Sequence, residues 1–153
     1  QRVEIKRSDL MGTWGAGVFE NDAASDWLGH LEKLGFIAIP TPLSVIGEYA
    51  ARKKTIPADV EQSFWAMCEV VGIAGGLANP SQVTDYRATI SREAERILKI
   101  PNLKRRILWA LERLEGEATE LEELWESAGE GEAFRLHRDR AKNAALEVLK
   151  QSE

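Results

Sequence analysis

Three polar side chains spaced four residues apart have types suited to binding a divalent cation. Asp22, Asp26 and His30 would lie along one face of a helix, and Glu69 could approach them from a second helix. Carboxylate and imidazole groups are common ligands for such ions, and the chemistry they would support is metal-assisted phosphoester hydrolysis. A simpler explanation is that Asp22 suits a helix N-terminus and that Asp26 and His30 form an ordinary i, i+4 pair. A metal-dependent hydrolase is therefore kept as the alternative function.

Glu69 is notable because it lies within an apolar run. Burying a carboxylate is costly unless the group is paired or hydrogen-bonded. Glu69 must therefore have a partner or face water. The expected partner is an indole N–H from Trp14 or Trp27, or backbone amides of the glycine-rich segment described next. A catalytic acid or base is the other interpretation. Cys68, the single cysteine, is predicted to be a small core residue whose pKa Glu69 raises.

A glycine-rich segment precedes the first predicted helix. Its glycines and aromatic residues are Gly12, Trp14, Gly15, Gly17 and Phe19. Glycine permits tight turns and large rings favour burial, so we predict a structural loop that plugs the bundle. Asn21 or Asp22 then caps the helix. The glycine order matches neither a P-loop nor a dinucleotide fingerprint, and no lysine follows it, which disfavours phosphate binding.

Charge is unevenly distributed along this chain of net charge −5. Residues 112–132 contain nine glutamates and one arginine, whereas residues 87–106 contain seven basic side chains. Either neighbouring helices offset each other's charge in the fold, or the acidic segment faces a partner. The residues of that candidate binding surface are Glu117, Glu120, Glu122, Glu123, Glu126 and Glu130.

The basic segment includes Lys104-Arg105-Arg106 at a predicted helix start. Apart from Tyr86 it lacks accompanying aromatic residues, and it contains no nucleic-acid-binding motif, so we expect no nucleic-acid partner.

The polarised helices could instead pair between two copies, which would give a homodimer. The absence of a long apolar run and the lone cysteine favour a soluble, cytoplasmic protein without a membrane partner.

Helical periodicity and regularly spaced breaks predict an all-α protein. We expect a compact bundle of about seven helices forming one domain over residues 11–153, with residues 1–10 as an N-terminal extension and Met11 as the natural start. The predicted breaks are Gly35, Asn79-Pro80-Ser81, Pro101, Gly116 and residues 129–131.

Prolines and glycines indicate where the predicted helices begin and end. Thr41 is expected to cap the second helix with Pro42 at its first position, after a short extended link over residues 36–39. The helix after Pro57 is apolar over most of its surface and should be central. Its glycines, including Gly75, indicate either close helix packing or an early helix end.

The stretch MGTWGAGVFENDAASDWL, residues 11–28, resembles the opening of the uncharacterised bacterial domain-of-unknown-function family 4259. Members typically begin Met-Gly-x-Trp-Gly-x-Gly, followed by Phe-x-Asn-Asp and an Ala-rich Asp-Trp/Phe-Leu helix. Val18 stands where proline is common. Two looser matches, at residues 69–71 and 120–125, extend the resemblance to about Leu149. The motif residues, structural or functional, are Trp14, Gly15, Gly17, Phe19, Asn21, Asp22, Asp26, Trp27, Glu69 and Trp125.

The resemblance implies a small helical bacterial protein and supplies no activity or cofactor. From charge and size we favour a non-enzymatic interaction protein without catalytic residues. Its sharper form is an immunity-type protein whose acidic surface covers the basic site of a toxin or nuclease by electrostatic complementarity.

Overall fold

The computed structural model describes residues 15–77, 86–116 and 118–150. Within these ranges the chain forms seven α-helices and no strand, which confirms the predicted all-α class and helix number. The helices are α1 (Asp22–Leu34), α2 (Thr41–Ala51), α3 (Ala58–Ala74), α4 (Arg87–Leu98), α5 (Leu103–Glu115), α6 (Glu120–Ser127) and α7 (Gly131–Lys150). Predicted features outside the described residues are the extension over 1–10, Met11, Gly12, Trp14, the break at 79–81 and Glu117.

The start of α1 follows the sequence prediction. The Asn21 side chain accepts a hydrogen bond from the backbone N–H of Ala24 at 2.8 Å, so Asn21 is the N-cap. Gly35 ends the helix at φ 67°, a left-handed value that favours glycine.

The link after α1 differs from the prediction. Residues 36–39 were expected to be extended, but Gly35–Ala38 forms a short 3-10 helix. The Trp27 indole N–H donates to the Ala38 carbonyl at 3.0 Å and holds this turn against α1. Ala38 and the following Ile39 are both buried, so this turn lies against the core.

Helix α2 begins one residue earlier than expected. Pro40 already has near-helical angles and occupies the N-cap position, so Thr41 is inside the helix and its side chain makes no capping bond. The predicted cap at Thr41 is therefore wrong.

No single helix within the described ranges is long and apolar enough to cross a membrane; Asp22–Ala38 and Thr41–Ala51 reach that length and composition only as a pair bent by 88°.

Helix α3 is central, as predicted. It packs against α1, α2, α4, α6 and the long helix α7. Its buried surface includes Phe64, Trp65, Met67 and Val71. Both proposed reasons hold at Gly75: α3 ends before it, and a Cβ there would collide with the side chain of Val148 on α7. The end of α3 thus approaches α7 more closely than an alanine would allow.

Candidate interaction surface

The acidic surface is formed by α6 and the turn after it. Within the described residues it consists of Glu120, Glu122, Glu123, Glu126 and Glu130. Thr119 caps α6 by accepting a hydrogen bond from the Glu122 N–H at 3.1 Å. Carboxylates in the first turn are favoured by the positive end of the helix dipole, and burial of Leu121 and Trp125 anchors the opposite side.

Helix α7 offsets part of this negative charge. Arg138 forms a hydrogen-bonded ion pair with Glu122, and Arg135 binds Glu126 at 2.8 Å. By contrast, Glu120 and Glu123 are exposed, and neither has a cationic partner within the described residues. The prediction that neighbouring helices offset each other's charge therefore describes part of the surface and leaves two carboxylates open to solvent.

A groove lies between α6 and the start of α7. Its volume is about 480 Å³. A Cβ at Gly131 would collide with the Glu126 carboxylate, so this glycine allows the Glu126–Arg135 pair to lie flat against the backbone. The lining residues are Ala118, Glu122, Glu123, Glu126, Ser127 and Arg135. The carboxylates in this lining have the charge to attract a basic side chain.

Glu61 on α3 is a buried carboxylate that sequence analysis missed. Its side chain is 1% exposed, and its Oε2 accepts a hydrogen bond from the Trp65 indole N–H at 2.9 Å. Oε1 is buried without a hydrogen-bond partner among the described residues. Burial raises the pKa of Glu61, while the Trp65 bond, Thr119 and Arg138 act in the opposite direction. The i, i+4 spacing of Glu61 and Trp65 was the available signal.

Glu69 has different surroundings from those expected. It is half-buried, and burial raises its pKa while the charge of Arg140 on α7 lowers it. Trp27 does not bond it, because that indole donates to Ala38. Cys68 is fully buried, as predicted, and burial followed by the charge of Glu69 raises its thiol pKa. A thiol held protonated in this way is a poor nucleophile.

The alternative metal ligands are not brought together. Asp22, Asp26 and His30 are exposed on α1, whereas Glu69 is beside α7's Arg140. Within the described part of the chain, no group of three or more His, Cys, Asp or Glu side chains is arranged to hold a metal ion. Asp26 and His30 instead line a separate groove of about 240 Å³ together with Asp59.

The described part of the glycine-rich segment, from Gly15 onward, closes around the side chain of Glu20. The Gly17 N–H donates to Glu20 Oε1 at 3.0 Å, and a Cβ at either Gly15 or Gly17 would collide with that carboxylate. The Glu20 carboxylate thus occupies the position near the Gly17 amide that a bound anion would need. Phe19 is half-buried and packs against the core.

Comparison with known proteins gives one family match. The model of the domain of unknown function DUF4259 matches residues 12–137, which include the glycine-rich segment, the acidic surface and the first part of α7. No curated protein and no solved structure matches the chain. Because the matched region covers most of the chain, the protein belongs to the DUF4259 family.

Proposed function

We propose that this protein is a non-enzymatic interaction module that binds a basic partner protein through the acidic surface. The proposal rests chiefly on Glu120 and Glu123, which are exposed and lack a cationic partner within the described residues. Glu123 also lines the groove between α6 and α7. A lysine or arginine of a partner could therefore enter the groove and meet a carboxylate that the fold itself leaves unpaired.

The sharper form of the proposal is an immunity-type protein that covers the basic site of a toxin or nuclease. Two features support a surface of that kind. The arginines of α7 already hold Glu122 and Glu126 in fixed positions, which lowers the conformational cost of presenting them. The exposed carboxylates beside them would attract a cationic partner over a Debye length of about 8 Å at physiological salt.

The test is a pull-down with purified tagged protein, followed by measurement of the association rate at several salt concentrations. The double variant Glu120→Lys/Glu123→Lys reverses the two unpaired charges and leaves Glu122, Glu126 and their arginine partners in the sequence. We expect it to lose a basic partner that wild-type protein retains, and we expect wild-type association to slow as salt rises.

The matched control is Glu32→Lys/Glu48→Lys. These glutamates are exposed on α1 and α2, so the control makes the same change in net charge away from α6. It should retain the partner. Loss of binding in both variants would indicate a net-charge effect, and retention in both, or binding insensitive to salt, would refute the acidic surface as the binding site.

A further inference from the structure

The outward face of α5 carries two large apolar side chains. Leu108 is 44% exposed and Trp109 is 39% exposed, whereas Ile107 and Leu111 are buried on the inner side of the same helix. The guanidinium carbon of Arg113 lies 3.9 Å from the centroid of the Trp109 ring, a cation–π arrangement that holds the indole in place. This pair is therefore a fixed apolar feature of the surface.

Two opposite charges flank the apolar pair. Residues 105, 108, 109 and 112 follow the i, i+3, i+4, i+7 spacing of a single helical face. Arg105 is exposed and has no partner within the described residues. Glu112 is 76% exposed and pairs with its sequence neighbour Arg113 at 3.0 Å.

Two other charged residues of α5 bind neighbouring helices. Arg106 donates to the Ser44 hydroxyl on α2 at 3.3 Å, and Glu115 binds Lys142 on α7 at 2.9 Å. Those contacts point toward α2 and α7, away from the outward face. Arg105 and Glu112 lie on the outward face, and neither forms a hydrogen bond or ion pair with another helix among the described residues.

The placement of these two charges also opposes the dipole of α5. Arg105 is in the first turn, where the helix dipole favours an anion, and Glu112 is in the C-terminal half, where it favours a cation. No contact within the described part of the chain compensates Arg105. An external anion near the N-terminus of α5 would compensate Arg105, and an external cation near Glu112 would add to its pair with Arg113.

We propose that a second copy of this chain binds the outward face of α5, with the two helices antiparallel about a twofold axis. When the axis passes between residues 108 and 109, Leu108 meets the partner's Trp109 and Arg105 meets the partner's Glu112. A twofold interface repeats each contact, so two apolar and two ionic contacts form at once. The outward face of α5 is therefore complementary to itself in the placement of its apolar side chains and in charge.

The size of the face sets the expected strength. One pair of helices of this length buries less than the roughly 1,600 Å² of a standard interface, which predicts a reversible dimer that forms at high protein concentration. Its exposed ion pairs should weaken as salt rises. The acidic surface on α6 is not part of this contact, so the dimer stands independently of the proposed function.

Sedimentation equilibrium of the purified chain at low salt, over a range of concentrations, tests the dimer. Arg105→Glu and Glu112→Arg, made singly, each place like charges opposite each other and should weaken dimerisation by at least about tenfold. The double variant restores opposite charges and should return the dimerisation constant to within about threefold of wild type. Arg92→Glu, at an exposed position on α4, is the control and should dimerise normally.

Thermal unfolding of the same variants separates an interface role from a structural one. The double variant matches the charges to the helix dipole, so its monomer should be at least as stable as wild type. A purely structural role would change the melting temperature and leave the association unaffected.

Either of two results would overturn the proposal: wild-type protein that remains monomeric at every concentration, or a folded double variant that fails to regain the dimer. Leu108→Gln provides a check without any charge change and should also weaken the dimer. Its matched control is Leu136→Gln, since Leu136 is 56% exposed on α7. Equal effects of the two leucine changes would likewise refute the α5 face.

Discussion

The N-terminal half of α3 contacts its neighbours through a buried polar pair, whereas its C-terminal end does so through close backbone packing. Glu61 accepts the Trp65 indole bond beneath the start of α6. Gly75 lies against Val148 of α7 where a Cβ would not fit. Between them, Glu69 is only half-buried although apolar residues surround it in sequence. Burial of a carboxylate on α3 therefore depends on which neighbouring helix covers it.

The largest expected effect is at Glu61. Glu61→Ala leaves the buried Trp65 N–H without an acceptor and creates a cavity, so we expect the free energy of unfolding to fall by about 3 kcal/mol. Glu69→Ala is the matched variant on the same helix and should change it by no more than about 1 kcal/mol. Urea unfolding measures both. Equal losses would contradict the distinction between the two carboxylates.

The next effect is at the opposite end of α3. Gly75→Ala forces Val148 to move and should cost about 1–3 kcal/mol, because the added methyl group would overlap the Val148 side chain. Gly29→Ala is the control, since nothing lies within 4 Å of a Cβ at Gly29 in α1. That change should leave stability unchanged or raise it by up to about 1 kcal/mol. A higher melting temperature for both glycine variants would disprove close packing at Gly75.

The smallest effect is a pH dependence. Because burial raises the pKa of Glu61 above its unfolded value of 4.5, the folded state retains this proton longer than the unfolded state. The contribution of Glu61 to the stability of the folded state therefore becomes less favourable as the pH rises from its unfolded-state pKa through its folded-state pKa. Glu61→Gln keeps an acceptor for Trp65 and removes the titration, so its stability relative to wild type should increase over that range.

Urea unfolding of wild type and Glu61→Gln between pH 4 and neutrality measures this difference. Glu69→Gln, at a half-buried carboxylate that Arg140 partly compensates, should show a weaker trend in the same direction. A difference between wild type and Glu61→Gln that stays constant with pH would contradict a protonation shift at Glu61.

Local signals made much of the fold predictable. The Asn21 cap, the central position of α3 and the end of that helix near Gly75 all depend on residues close together in sequence. The Thr41 cap and the extended link failed for local reasons too, because Pro40 starts α2 early and Trp27 holds a 3-10 turn.

The environments of the carboxylates were not predictable in the same way. In the local sequence, Glu61 looks like an ordinary acidic residue in the first turn of a helix. It is buried in the fold because the start of α6, nearly 60 residues later in the chain, lies over it. The acidic surface was identified from composition, yet which of its members pair depends on the register of α6 against Arg135 and Arg138. A single sequence does not specify that register.

The exposure of Trp109 gives the protein an intrinsic optical reporter. Trp27, Trp65 and Trp125 are at most 4% exposed, so among the described indoles a water-soluble quencher such as acrylamide reaches Trp109 far more readily. With Trp14 replaced by phenylalanine, the quenchable part of the fluorescence reports the outward face of α5, and the protected part reports the core. A single quencher titration can therefore distinguish a change in the exposure of Trp109 from a change in the exposure of the buried indoles.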